Sequence, residues 1–225
     1  MKIPRAPHRW RVSPAQAIAI QRRLAPTVCR EKPRGAIRLV AGVDAAFSPD
    51  GNQCIAAAVL WDIQRQEPLE QHTASRTVTF PYIPGLLSFR EAPAVIAALR
   101  KLHIQPDALM FDGHGLAHPR RFGIACHVGV ICNLPSIGCA KSRLTGAYAE
   151  PLETRGSKAP LEDEGEVIGV VLRTRNRVKP VFVSIGHRID LATAEDIVLD
   201  CTIRYRLPEP TRLADRLVAN TRSGE

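Results

Sequence analysis

The sequence predicts an α/β fold, a single mixed sheet with helices packed on both faces. Three observations lead there. Three strand-like runs at 37–47, 54–61 and 75–80 are joined by short connections, which favours an antiparallel meander. Helical and strand patterns then alternate from residue 86 onward, as in sheets that also carry parallel strands. No linker-like or low-complexity stretch divides the 225 residues, and 45% hydrophobic content suits one sizeable core, so residues 1–225 are read as one domain.

Residues 1–12 are basic and contain proline, and read as a loosely held arm. Ser13-Pro14-Ala15 is an N-cap followed by proline at the first helical position, opening a helix to about Ala25. Ser48-Pro49-Asp50-Gly51-Asn52 is a turn between the first two strands. Val95, Ile96, Leu99 and Leu102 share one face of a second helix. Residues 108–111 form a short buried strand, 120–132 a third helix and 136–140 another strand. Residues 141–166 read as a polar, glycine- and proline-containing excursion, and 150–166 within it as a solvated surface loop. Strands at 167–172 and 181–184 pair through a turn at Asn176, and Thr193 caps a helix to about Tyr205. Pro208-Glu209-Pro210 interrupts, and a short helix covers 212–219.

Net charge is +9, and 25 of the 31 basic residues are arginine, whose planar fork suits phosphate. A polyanion such as nucleic acid is the partner this balance favours, although an arginine-rich genome accounts for the same number. None of the six cysteines forms a C-x-x-C pair, which excludes a zinc knuckle of the usual spacing. Reduced thiols, no secretory leader and no apolar run long enough for a bilayer point to a cytoplasmic protein without membrane contact. Monomer is the default oligomeric state.

The chemistry gathers on acidic residues at strand ends. Asp44 lies within Leu39-Val40-Ala41-Gly42-Val43-Asp44-Ala45-Ala46-Phe47, where a carboxylate is costly to bury unless it is paired or bound to a cation. Asp112 ends the 108–111 strand and is followed by Gly113-His114-Gly115-Leu116-Ala117-His118-Pro119-Arg120-Arg121-Phe122-Gly123. With the first and fourth strands side by side, Asp44 and Asp112 meet at one end of the sheet, and a hard cation such as Mg²⁺ relieves their repulsion. Taken alone, Asp112 also fits an Asx-turn. Glu91 fits a capping box with Ser88; equally, Pro93 at the first helical position would make Ala92 the cap and leave Glu91 outside, free to be a water-mediated metal ligand or general base, and the residues alone leave both readings open. His118 and Lys141 have basic company that suits a scissile phosphate. Asp215 by itself reads as a solvated helix position.

These motifs resemble the endonuclease V family of deoxyinosine-specific repair nucleases. The likeness rests on Val40-Ala41-Gly42-Val43-Asp44, on Phe80-Pro81-Tyr82-Ile83-Pro84-Gly85-Leu86-Leu87-Ser88-Phe89-Arg90-Glu91, and on the 111–123 segment. Gly138-Cys139-Ala140-Lys141-Ser142 and Tyr205-Arg206-Leu207-Pro208-Glu209-Pro210-Thr211-Arg212 extend it to nearly the whole chain, about residues 14–219. The resemblance implies a ribonuclease-H-like fold and Mg²⁺-dependent hydrolysis, with Mn²⁺ as substitute. It implies cleavage of the second phosphodiester 3′ to deoxyinosine, leaving 3′-hydroxyl and 5′-phosphate ends. By position, Asp44 and Asp112 become metal ligands and Glu91 acts through an intervening water. His118 and Lys141 assist at the phosphate. Tyr82 belongs to a wedge that fills the place of an extruded base, and Gly85, Leu87, Gly113, Gly123 and Leu144 line a hypoxanthine pocket. Asp215 stands where some members carry histidine, so a ligand role there competes with the solvated one. Inosine in single-stranded RNA is the alternative substrate. A non-catalytic binder of damaged nucleic acid and a junction-resolvase-like nuclease are the remaining alternatives.

Overall fold

The structure, a computed structural model, describes residues 1–223 of the chain. Ser13 caps α1 (Pro14–Leu24): its hydroxyl accepts from the Gln16 N–H, and the Gln16 side chain accepts from the Ser13 N–H. The meander follows as β1 (Leu39–Phe47), β2 (Gln53–Asp62) and β3 (Glu67–Thr77). Then come α2 (Ser88–Leu99), β4 (Ala108–Phe111), α3 (Ile124–Cys132) and β5 (Ser136–Ala140). The chain closes with β6 (Lys158–Asp163), β7 (Glu166–Leu172), β8 (Val181–His187), α4 (Leu191–Asp200) and α5 (Glu209–Ser223).

All eight strands join one sheet in the order β3-β2-β1-β4-β5-β8-β7-β6. β1 pairs antiparallel with β2 and parallel with β4, and β4 pairs parallel with β5. This mixed sheet is the ribonuclease-H-like arrangement that the resemblance implies. Side chains alternate across β2: Ala56, Ala58 and Leu60 pack under α2, while Ala57 and Val59 meet Ala214 and Val218 of α5. Helices therefore cover both faces, and β1 runs buried between two neighbours.

Several boundaries differ from the sequence reading, each for a physical reason. β3 begins at Glu67, not at 75, because an edge strand exposes one side and needs no continuous apolar run. The 141–166 loop contains β6, whose Ala159 and Leu161 alternate inward, with Pro160 tolerated at the sheet edge. β8 continues to His187. α3 starts at Ile124 because Arg121 adopts a left-handed backbone (φ 52°) that a helix cannot contain. Asp190, not Thr193, caps α4: its carboxylate accepts from the Thr193 N–H, and the helix stops at Asp200. α5 begins at Glu209, since Pro210 falls in the first turn, where its missing N–H costs nothing.

Residues 1–12 are not a loose arm. Ile3, Ala6 and Trp10 pack against the main core while Arg5, Arg9 and Arg11 face solvent. His8 Nε2 lies 2.7 Å from Nε2 of the buried His127, whose Nδ1 meets the Ser88 hydroxyl at 3.0 Å. Interspersed apolar residues anchor this segment, and its basic composition hid them.

Candidate active site

Strand pairing brings the first two carboxylates together. Val43 and Phe111 are partners across the parallel β1–β4 ladder, so Asp44 and Asp112 follow on adjacent strands. The Asp112 N–H donates to the Val43 carbonyl at 3.2 Å. Gly42 lets α5 reach this end of the sheet: a Cβ there would lie 2.1 Å from the Pro210 carbonyl carbon. That close approach carries Asp215 in from α5. Lys141 follows β5 and places Nζ 2.5 Å from Asp112 Oδ2 and 3.6 Å from Asp215 Oδ2. Arg206 donates to the Lys141 carbonyl at 2.6 Å and the Pro180 carbonyl at 2.8 Å, fixing the backbone that carries the lysine.

Glu91 arrives from α2, but not as the sequence reading had it. The helix starts at Ser88, Pro93 lies inside it, and Glu91 sits in the first turn. No side chain caps the helix, because the N-cap position falls on Leu87, which has no acceptor, and Ser88 is already inside the helix with its hydroxyl on His127. A proline inside a helix costs about 3 kcal/mol. Burial of Phe89, Ala92, Val95 and Ile96 offsets it here, at about 1.5–3 kcal/mol per large apolar side chain.

These acids repel one another. Burial, then the charges of Asp112 and Asp215, push the Asp44 carboxyl up to about 7. Burial, with Asp44 and Asp112 behind it, pushes Glu91 up to about 8. Burial also raises Asp112, against the hydrogen bond and charge of Lys141. Burial opposes the Lys141 ammonium, but Asp112, Asp215 and Asp44 outweigh it and raise the lysine pKa. Asp44, Asp112 and Glu91 offer hard oxygen donors with too little cationic charge between them, a donor set that fits Mg²⁺ or Mn²⁺.

A cavity of about 240 Å³ opens beside the acids. Asp44, Glu91, Asp112, His118, Tyr82, Gly85, Leu87, Gly113, Gly123 and Leu144 all line it. Lys141 adjoins it through Asp112, and Asp215 through Lys141. Its rim is exposed and apolar: Tyr82 is 70% accessible, and Leu87 and Leu144 are partly so. Behind the rim, Phe80, Leu86 and Phe89 form a small cluster with Ala17 of α1 that supports the 81–87 loop. Ile83-Pro84-Gly85-Leu86 makes a tight turn closed by Leu86 N–H to the Ile83 carbonyl at 2.9 Å. Gly85 takes the positive φ (76°) that this turn needs at its third position.

Three donors converge on the Gly85 carbonyl: Gln21 Nε2 at 3.0 Å, His118 Nε2 at 2.9 Å and an Arg120 guanidinium nitrogen at 2.8 Å. Gln21 Oε1 in turn accepts from Arg120 Nε at 2.6 Å. His118 is buried, and its Nδ1 accepts from the Arg120 N–H at 3.1 Å. Nε2 therefore carries the proton, both ring nitrogens are engaged, and burial holds the imidazole neutral with a pKa of about 4. His118 thus lines the cavity with one ring nitrogen held by the 81–87 loop and the other by the Arg120 backbone. Arg121 is a clamp on the β6–β7 hairpin, paired with Asp163 at 2.8 Å and Glu166 at 2.7 Å.

Two polar cavity residues were given no role of their own in the sequence reading, although His114 lay within the 112–123 motif. Gln21 is fully buried on the Ala17–Gln21–Leu24 face of α1, and a polar side chain at an apolar helical position was the available signal. His114 lines the cavity with a buried Nδ1 that has no hydrogen-bond partner among the described residues, and no spacing rule marked it.

A family model described as Endonuclease V matches residues 22–216. The chain is 53% identical over 213 residues to an endonuclease V of Roseiflexus sp. (strain RS-1), covering 95% of each chain. Its fold matches the crystal structure of an endonuclease V from Streptomyces avermitilis with a TM-score of 0.92 at 43% identity, over 99% of each chain. It also matches an endonuclease V of Ciona intestinalis solved with a 24mer DNA containing an inosine followed by a ribo-adenosine. That match has a TM-score of 0.81 at 24% identity and covers 93% of this chain and 98% of that one.

Proposed function

The chain belongs to the endonuclease V family, and we propose that it is a divalent-metal-dependent nuclease that cuts DNA at the second phosphodiester 3′ to deoxyinosine. The observation that carries this reading is a cavity with an under-neutralised carboxylate cluster on one side and an exposed tyrosine on its rim. The acidic side suits phosphate chemistry through a cation, and the apolar side suits an extruded base.

Asp44 and Asp112 are the residues to hold Mg²⁺, or Mn²⁺ in its place, with Asp215 as a further acidic group at the edge. The bound ion supplies Lewis acidity at the phosphate and lowers the pKa of an attacking water. Glu91, whose carboxyl burial and the neighbouring acids raise in the metal-free protein, is the residue to take a proton from water once a bound cation has ionised it. Lys141 neutralises charge beside Asp112 and lies at the edge where a phosphate oxygen approaches. The products carry 3′-hydroxyl and 5′-phosphate ends.

A base is read on its edge only after leaving the stack, and unstacking costs a few kcal/mol per step. Tyr82 fills the gap in the duplex. Gly113 brings backbone close to the flipped base, and Leu87, Gly123 and Leu144 complete the pocket. The Gly85 carbonyl is already saturated, so recognition by Gly85 falls to its N–H. Hypoxanthine lacks the exocyclic amine of guanine, and a rigid wall excludes guanine by leaving that amine no room. His118 acts by holding the loop. Six unpaired cysteines fit a reducing, cytoplasmic enzyme. No helix of the described residues is long and apolar enough to cross a membrane. We take the working unit to be a monomer.

The deciding experiment is cleavage of an end-labelled inosine duplex in Mg²⁺, with the cut mapped to the nucleotide. A nick immediately after the inosine's 3′ neighbour supports the reading; intact inosine duplex in Mg²⁺ and Mn²⁺ overturns it. The same assay carries a matched RNA strand and a DNA strand with ribose 3′ to the inosine. Faster cleavage of RNA than of DNA reassigns the substrate.

A further inference from the structure

A second constellation lies away from the cavity, on edge strand β3 and the turn after α2. Glu70 and His72 are two residues apart on β3 and so project to the same face. That face is the one α2 covers, and His103 comes over it from just beyond the helix's last turn. Glu70 Oε2 lies 3.0 Å from His72 Nε2 and 3.1 Å from His103 Nδ1. The three ligand atoms all lie within 4.8 Å of one another.

We propose that Glu70, His72 and His103 form a binding site for a borderline transition-metal ion such as Zn²⁺, one that clamps β3 to the α2–β4 turn. Zn–N and Zn–O bonds of about 2.0–2.2 Å place the ligands of one tetrahedral ion roughly 3.3–3.5 Å apart. Two of the three separations are already near that spacing, and the 84% exposed His103 ring is free to adjust the third. Two imidazoles and one carboxylate select zinc-like ions over Mg²⁺, which prefers oxygen alone. A water completes the shell. Each neutral imidazole turns its unprotonated nitrogen to the ion by moving its proton to the other ring nitrogen.

The carboxylate is supported as a ligand needs to be. The Ile104 N–H donates to Glu70 Oε1 at 2.7 Å, and the His103 N–H donates to Oε2 at 2.9 Å. These backbone bonds aim Oε2 at both rings and hold the carboxyl ionised: burial opposes the charge, but the two N–H groups and the histidines bring its pKa down to about 2. Lys101 of the same turn is tied to the Thr73 carbonyl at 2.7 Å.

This cluster is separate from the carboxylates that face the cavity. His72 is two strands from Val43 along the register His72–Ala58–Val43. Glu91 opens α2, whereas His103 follows its end, and the helical stretch from Glu91 to Leu99 alone spans roughly 12 Å. The two groups also differ in kind, one all oxygen and one mostly nitrogen. The proposal does not depend on the nuclease reading, and absence of inosine cleavage leaves it standing.

The test is titration with Zn²⁺ by calorimetry in saturating Mg²⁺, which occupies the all-oxygen group. Co²⁺ absorption in the same buffer reports the ligand geometry. Wild type and Asp112→Asn are expected to bind one Zn²⁺ equally and to give visible Co²⁺ bands. His72→Ala and His103→Ala should weaken Zn²⁺ by at least about tenfold, the loss that follows removal of even a supporting partner of a ligand, and should bleach the Co²⁺ bands. Circular dichroism checks their fold, and His103→Ala removes a side chain exposed enough to leave it unchanged. Equal Zn²⁺ affinity in wild type and both histidine variants overturns the proposal, as does binding that vanishes in Asp112→Asn.

Discussion

The two walls of the cavity are built on opposite principles. On the acidic wall, Asp44, Glu91 and Asp112 crowd together with a single lysine in contact, and their carboxyls are pushed upward in pKa. On the opposite wall, the recognition wall of the proposed function, one carbonyl receives three hydrogen bonds and both nitrogens of His118 are used. One wall is electrostatically incomplete without a ligand, and the other is complete in its absence. Under the proposed function the contrast follows from the tasks. Charge held at a site of chemistry is useful because a cation and a phosphate complete it, whereas discrimination between two purines that differ by an amine demands a wall that does not yield.

The sharpest test asks whether relieving strain on the acidic wall trades function for stability. Asp44→Asn and Asp112→Ala should each lower the rate of inosine-duplex cleavage by about 10³-fold, since the bound ion's contribution is worth several kcal/mol at 1.36 kcal/mol per tenfold. Asp44→Asn should at the same time leave the melting temperature in EDTA equal to or above wild type. Single-turnover kinetics and thermal melts check both. A variant that is slow because it has unfolded would erase the distinction between the walls.

The recognition wall should respond the other way. Arg120→Ala removes donors to the Gly85 carbonyl and to Gln21, so the 81–87 loop loses its brace. We expect a loss of roughly 10- to 100-fold in the preference for inosine over guanine, the size of discrimination that pocket fit supplies. Metal dependence should stay unchanged. Competition cleavage of the two duplexes measures the ratio, and an unchanged ratio with lower rate on both would move Arg120 to the acidic wall's side of the comparison. Smaller still is Tyr82→Ala. The side chain is 70% exposed, so stability should be unaffected. Cleavage should fall by about tenfold on duplex, where unstacking costs a few kcal/mol, and hardly at all on a single strand.

The two walls also differed in how far sequence exposed them. Carboxylates at strand ends stand out against apolar neighbours, so Asp44 and Asp112 and their meeting at adjacent strands were legible from residue type and order. Glu91 was legible as a residue but not in its setting, because the rule for Pro93 describes an isolated helix and burial of Phe89 and Val95 overrode it. The brace on Gly85 was not legible, since Gln21, His118 and Arg120 come from two distant parts of the chain and meet only through the fold. The roles of Arg120 and Arg121, neighbours in sequence, separate only because Arg121 takes a left-handed backbone and turns to the β6–β7 hairpin. The same limit explains β6: an edge strand with one buried face carries too few apolar residues to announce itself within a polar segment.

The smallest effect is a pH dependence that isolates the acidic wall in the metal-free protein. Asp44 and Glu91 have folded pKa values of about 7 and about 8, against 3.8 and 4.5 for the free side chains. A carboxyl raised on folding binds its proton more tightly in the native state, so its contribution is full below the unfolded pKa and is lost as pH rises through the folded one. The buried His114, His118, His127 and His187, with the half-buried His8, run the opposite way: burial lowers each from 6.5, so their contribution grows with pH and is complete only about a unit above that value. These histidines are common to wild type and Asp44→Asn, so the difference between the two isolates the carboxyl. In EDTA the melting temperature of wild type should fall relative to that of Asp44→Asn between pH 6.5 and 8 by about 2–4 °C, the shift for ~1 kcal/mol in a domain of this size once solvent screening at the cavity mouth is allowed for. Mg²⁺ should reverse it, because the ion binds ionised carboxylates and stabilises the native state more as they lose their protons. A pH slope in EDTA that Asp44→Asn leaves untouched would mean that the acidic wall is as well satisfied as the recognition wall.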